Sequence, residues 1–86
     1  MVKYEVVFKK SVTKDLRKIE KHDIEKILEK INYISETPRG EGCIKLTNIE
    51  LYRVRSGMYR ILYEINDNQL VVHVIKVSHR SDAYTN

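Results

Sequence analysis

Eighty-six residues with a net charge of +4 make one small domain with one modest core. No apolar run reaches membrane-spanning length, and the amino-terminal VKYEVVF alternates like a strand instead of reading as a signal segment. A single cysteine, Cys43, rules out an intrachain disulfide and suits a reducing compartment. The expectation is a soluble, cytoplasmic protein occupying residues 1–86 as one unit.

In chain order, Val2, Tyr4, Val6 and Phe8 alternate with Lys3, Glu5 and Val7, the pattern of a half-buried strand over residues 2–8. Ser11 is a candidate N-cap for a short helix carrying Val12, Leu16 and Ile19 to about Lys21. Asp23 is placed to cap a second helix, whose Ile24, Ile27, Leu28, Ile31 and Ile34 form an apolar stripe. Thr37-Pro38-Arg39-Gly40 ends it in a turn. A short strand over residues 44–47 leads to strands over 51–55 and 58–65, which meet at Ser56-Gly57, a dipeptide suited to a tight hairpin. With those two as loop residues, Arg53 opposes Arg60 and Val54 opposes Tyr59. One face then carries Leu51, Arg53, Arg55, Met58, Arg60 and Leu62, and the other Tyr52, Val54, Tyr59, Ile61 and Tyr63. A second two-residue loop at Asp67-Asn68 sets Ile65 against Leu70, Arg60 against Ile75 and Leu62 against His73. Continued alternation turns Val77 and His79 toward the arginines. The predicted architecture is α+β, in the order β-α-α-β-β-β-β. Two helices pack on one face of a curved, mainly antiparallel sheet, and the arginines lie on the open face.

The charge is unevenly placed. Residues 9–36 hold eight basic and six acidic groups, interspersed as on a solvated helix surface. Residues 51–80 hold five basic groups (Arg53, Arg55, Arg60, Lys76 and Arg80) against Glu64 and Asp67. A charged strand face is the ordinary solvated condition, but two facing arginines cost about half a kcal/mol that a bound anion would relieve. Guanidinium groups suit planar, multidentate contact with phosphate. Metal-ligand spacing, a Gly-rich phosphate loop and a Ser-His-Asp order are all missing from the sequence, so no cofactor is expected.

A guanidinium cluster with a nearby histidine and tyrosine fits metal-independent RNA cleavage, in which the 2′-hydroxyl attacks the adjacent phosphate. Cations stabilise the phosphoryl charge, and His79 or Tyr84 moves protons. Imidazole titrates near neutrality and so suits the role. Tyr84 serves equally well as a base-stacking ring. His22 has no assigned role, and His73 reads as an ordinary strand residue.

YRVRSGMYRILYEI followed by VVHVIKVSHRSDAY resembles the RelE/ParE superfamily of bacterial and archaeal toxin–antitoxin toxins, and the likeness runs from KYEVVFKKSVTKDLRKI to Tyr84. The RelE-type branch consists of ribosome-dependent endoribonucleases that cut messenger RNA. That resemblance implies an active face of Arg53, Arg55, Arg60, Arg80 and Tyr84, and an acidic RelB-like antitoxin laying an amphipathic helix over the toxin. Active relatives often carry lysines where Arg53 and Arg55 stand. Others have a glutamate where this chain has Ile44 and a histidine where it has Ala83. ParE-type members inhibit DNA gyrase without cutting RNA. A module that binds RNA or the ribosome without cleaving it needs only the cations.

Overall fold

A computed structural model describes residues 3–81. The elements run β1 (Glu5–Phe8), α1 (Lys10–Arg17), α2 (Lys21–Glu36), β2 (Ile44–Lys45), β3 (Tyr52–Ser56), β4 (Tyr59–Asn66) and β5 (Val71–His79). They form a two-layer α+β fold with the expected element order. The five-stranded sheet is ordered β1-β5-β4-β3-β2, with β1 parallel to β5 and every other pair antiparallel.

The helices bury one face of the sheet because their apolar stripes leave no other place for it. Val12 of α1 and Ile27, Ile31 and Ile34 of α2 pack with Val54, Ile61, Tyr63, Val72, Val74 and Val77 in a single core. Leu28 falls outside this group and stays 45% exposed at the side of α2 facing β1. Tyr63 crosses the core and its hydroxyl donates to the carbonyl oxygen of Pro38 at 2.6 Å. That bond satisfies the polar end of a buried ring, and burial pushes the phenol's pKa well above its ordinary value.

Helix starts differ from the sequence expectation. α1 begins at Lys10 after an extended Lys9, and α2 at Lys21 after an extended Glu20, neither with a side-chain cap. Ser11 and Asp23 therefore sit inside the first turns, where Asp23 still complements the helix dipole. α1 ends at Arg17, four residues before Lys21. The strand expected over 44–47 shortens to two residues, because the chain turns back on itself with Leu46 N–H donating to the Leu51 carbonyl.

Both hairpin registers also differ. In the first, Gly57 and Met58 form the loop and Ser56 opposes Tyr59. Gly57 takes φ +58, a conformation that glycine adopts without steric cost at the first loop position. Every partner shifts by two, so Arg55 opposes Arg60 and Arg53 opposes Leu62, while each residue keeps its face. In the second, Asn66 opposes Val71 across a four-residue loop that ends on Leu70 at φ 56. Gln69 N–H donates to Asn66 Oδ1 and closes the turn. His73 consequently opposes Glu64, and Tyr63 opposes Val74.

Past that point β5 carries an extra residue, Ile75, between the Tyr63–Val74 and Leu62–Lys76 pairs. A bulge of one residue reverses the facing of everything beyond it. Val77 thus opposes Ile61 in the core, 2% exposed, and His79 opposes Tyr59. Neither points toward the arginines as the unbroken alternation predicted. Ile75 also does not oppose Arg60, whose partner is Ser78.

Candidate phosphate-binding face

Arg53 and Arg55 on β3 and Arg60 on β4 project from the face away from α1 and α2. Arg55 is exposed and stands directly opposite the half-buried Arg60, whose Nε is shielded from solvent. The two side chains therefore leave the same face of the sheet from directly opposed positions, at a cross-strand spacing of about 4.5–5.5 Å between Cβ atoms. Arg53 is half-buried between Ile44 on β2 and Leu62 on β4, its two cross-strand neighbours.

Lys76 shares the open face through its pairing with Leu62, but its Nζ lies 3.4 Å from Asp15 Oδ1 on α1. Asp15 Oδ2 also accepts the Val77 N–H at 3.4 Å. β1 stops pairing at Val74, leaving the rest of β5 at the sheet's edge, and Asp15 covers that edge with a carboxylate. Part of the Lys76 charge is spent there. Asp15 was not legible as a functional residue from its position in a mixed-charge helix.

Arg80 follows β5 and is exposed, with its N–H bonded to the Met58 carbonyl at 2.7 Å. This bond ties it to the hairpin that carries the other arginines. His79 lies on the opposite side of the sheet, in an edge-to-face contact with Tyr59 at a centroid distance of 5.3 Å. Its Nδ1 accepts the Ser81 N–H at 3.1 Å and lies 2.8 Å from Ser81 Oγ. An Nδ1 that accepts a backbone N–H carries no proton, so the neutral ring holds its proton on Nε2. His79 therefore anchors the turn after β5 and does not face the arginine cluster. Tyr84 lies outside the described residues.

The same open face changes character toward its other end. Glu64 and His73 face each other at 3.4 Å, and Glu5 and Val7 continue the surface on β1. On the helix side, Arg39 makes a bidentate ion pair with Asp67, at 3.1 and 2.9 Å, and also donates to the Tyr52 hydroxyl. Tyr4 completes the clasp by donating to Asp67 at 2.8 Å. The Arg39 and Tyr4 hydrogen bonds hold the Asp67 carboxyl below the usual carboxylate range. Among the described residues no group of three or more histidine, cysteine or acidic side chains is arranged to hold a metal ion. No helix among them is long and apolar enough to cross a membrane.

Comparison with known proteins places this fold among the toxins of toxin–antitoxin modules. The chain matches the family of the ParE toxin of type II toxin–antitoxin systems over residues 6–84 and belongs to it, within the RelE/ParE superfamily. Solved relatives agree in fold. The RelBE2 toxin–antitoxin complex of Mycobacterium tuberculosis superposes with a TM-score of 0.85 at 29% identity, covering 95% of this chain and 97% of that one. The RelE–RelB complex of Pyrococcus horikoshii OT3 gives a TM-score of 0.77 at 31% identity, with 93% and 97% covered. The isolated RelE toxin of E. coli gives 0.78 at 31% identity, with 95% and 92% covered.

Proposed function

We propose that this toxin is an endoribonuclease that cleaves messenger RNA on the ribosome and thereby halts translation in the cytoplasm. The observation that carries the reading is the set Arg53, Arg55 and Arg60 on the sheet face away from both helices, with Arg55 directly opposite Arg60. Such a pair is unfavourable by itself and becomes favourable with a phosphodiester between its members. In the reaction the 2′-oxygen loses its proton and bonds to phosphorus. The P–O5′ bond breaks, and the 5′-oxygen leaves with a proton, giving a 2′,3′-cyclic phosphate. Negative charge grows on the phosphoryl oxygens in the transition state, where fixed guanidinium groups act on it most strongly.

In this assignment Arg53, Arg55, Arg60 and Arg80 hold the phosphates, and Lys76 adds a weaker contact because Asp15 shares its charge. Arginine does not deprotonate in proteins, so proton transfer falls to another group. Tyr84 takes that role. His79 orients the turn carrying Arg80 through its Nδ1 bond to Ser81. The partner is an acidic, RelB-like antitoxin, a reading supported by the solved relatives that are RelB–RelE complexes.

A second reading, inhibition of DNA gyrase, is favoured by the ParE toxin family to which the chain belongs. Purified toxin incubated with a messenger RNA, with and without ribosomes, separates the two. New 5′-hydroxyl ends that require ribosomes are the expected result. Intact RNA together with loss of gyrase supercoiling would establish the second reading instead.

A further inference from the structure

β1 is an edge strand, and no described strand pairs with its outer side. Lys9 N–H bonds Val74 O and Glu5 N–H bonds Leu70 O, so the backbone groups of the odd-numbered residues face β5. By the two-residue period of a strand, the N–H and C=O of Val6 and Phe8 point away from the sheet. Tyr4 N–H also points away, and it is taken by the Ser35 carbonyl at the end of α2. The side chains along this edge are apolar and exposed, Val7 and Phe8 by 41% each and the neighbouring Leu28 by 45%. A groove between β1 and α2, floored by Val6 and Ile31, runs beside them. An apolar edge with outward backbone donors and acceptors is a template for another strand.

We propose that this edge pairs with β1 of a second copy of the chain, joining two sheets into one of ten strands about a two-fold axis through Val7. The strand's own sequence selects this occupant and this register. Antiparallel pairing needs outward-facing residues opposite each other, which admits Val6 against Phe8, Val6 against Val6 or Phe8 against Phe8, and excludes registers one residue away. The last of these sets Lys9 against Val7 and Glu5 against Ser11, which already lies in α1, so it forms no ion pair. With Val6 opposite Phe8 of the other copy, Val7 meets Val7 and Glu5 meets Lys9, twice over. Lys9 is still extended, at φ −66 and ψ 146, and so continues the strand to that contact. With Val6 opposite Val6, Lys3 would face Lys9 and Glu5 would face Val7, which discards both ion pairs and adds a like-charge contact. The favoured register also lays Phe8 of each copy over Val6 of the other, beside Leu28 in the groove. Opposed residues of paired strands share a side, so both arginine faces look the same way.

The strand is short, so association falls in the range of about 10–100 µM, as for small transient interfaces. Sedimentation equilibrium of the purified chain should show a monomer–dimer equilibrium there. Glu5→Lys and Lys9→Glu each place like charges across both contacts and should weaken the dimer about tenfold. The Glu5→Lys/Lys9→Glu double variant restores the pairs and should return to within about threefold of the parent. In a Cys43→Ser background, Val7→Cys should give a disulfide-linked dimer on mild oxidation. A non-hydrogen-bonded antiparallel pair brings Cα atoms to about 4.5 Å, within disulfide reach. These positions lie on the exposed edge, and circular dichroism checks that each variant is folded. A chain that stays monomeric up to about ten times that range overturns the dimer. So does a dimer that ignores both single reversals, or one in which the double variant is no tighter than the singles. A monomer whose Glu5→Lys variant loses antitoxin binding would assign the edge to the antitoxin instead.

Discussion

Replacing Arg55 with glutamine separates binding chemistry from folding, because the two effects have opposite signs. Arg55 faces Arg60 directly across β3 and β4. Removing one of two facing like charges should stabilise the sheet by about half a kcal/mol. For a domain of 86 residues this raises the melting temperature by about 2–4 °C. Glutamine keeps the length and polarity of the side chain, so little packing is lost. Cleavage should move the other way. Loss of one fixed cation at the developing phosphoryl charge costs about 3 kcal/mol, on the order of a hundredfold in rate. Single-turnover cleavage on programmed ribosomes reads the second effect, and thermal unfolding at low salt the first. The melting gain should shrink in about 1 M salt, where the screening length falls to about 3 Å. A variant that melts lower than the parent and cleaves within threefold of it would refute both the facing-arginine geometry and its function.

Binding to ribosomes or RNA should weaken steeply with salt. Four guanidinium contacts to single-stranded RNA give a log–log slope of roughly −3, and a slope near zero would leave the open face merely solvated. His79→Gln should slow cleavage while leaving the shape of its pH profile unchanged, because the ring anchors Ser81 on the other side of the sheet. Tyr84→Phe should lose more activity than His79→Gln and alter the profile. A His79→Gln variant that loses a pH inflection would return proton transfer to His79. The Arg39–Asp67–Tyr4 clasp makes stability acid-sensitive with a definite sign. The folded-state pKa of Asp67 is depressed, so its contribution is complete above the unfolded-state value near 3.8 and fades as pH falls through the lower folded value. Asp67→Asn should therefore reduce stability at neutral pH and narrow the gap to the parent in that acid window, as measured by urea midpoints at several pH values.

The alternating residues of β3 and β4 were enough to place Arg53, Arg55 and Arg60 together on one face and Val54, Ile61 and Tyr63 on the other. Side-chain facing has a period of two, so misplacing the hairpin loop by one residue moved every partner by two and left the faces intact. The helical stripes likewise placed Val12, Ile27, Ile31 and Ile34 in the core. Partners were a different matter. Whether Arg60 meets Arg53 or Arg55 depends on which residue takes positive φ, and both Ser56-Gly57 and Gly57-Met58 are plausible loops until the strands pair. The bulge at Ile75 was decided by tertiary structure. One extra residue lets Val77 reach the core under Ile61 after Val74 has done so beside Tyr63, and the same step turns His79 away from the arginines. Unbroken alternation would have set Lys76 and Ser78 on the core face after Val72 and Val74, and that misfit was its trace in the sequence. Contacts between distant segments left no trace at all. Asp15 on the open edge of β5, and Arg39 clasping Asp67, are brought together only when the helices settle on the sheet. Local periodicity fixes which way a side chain points, whereas its partner is fixed by where the rest of the chain packs.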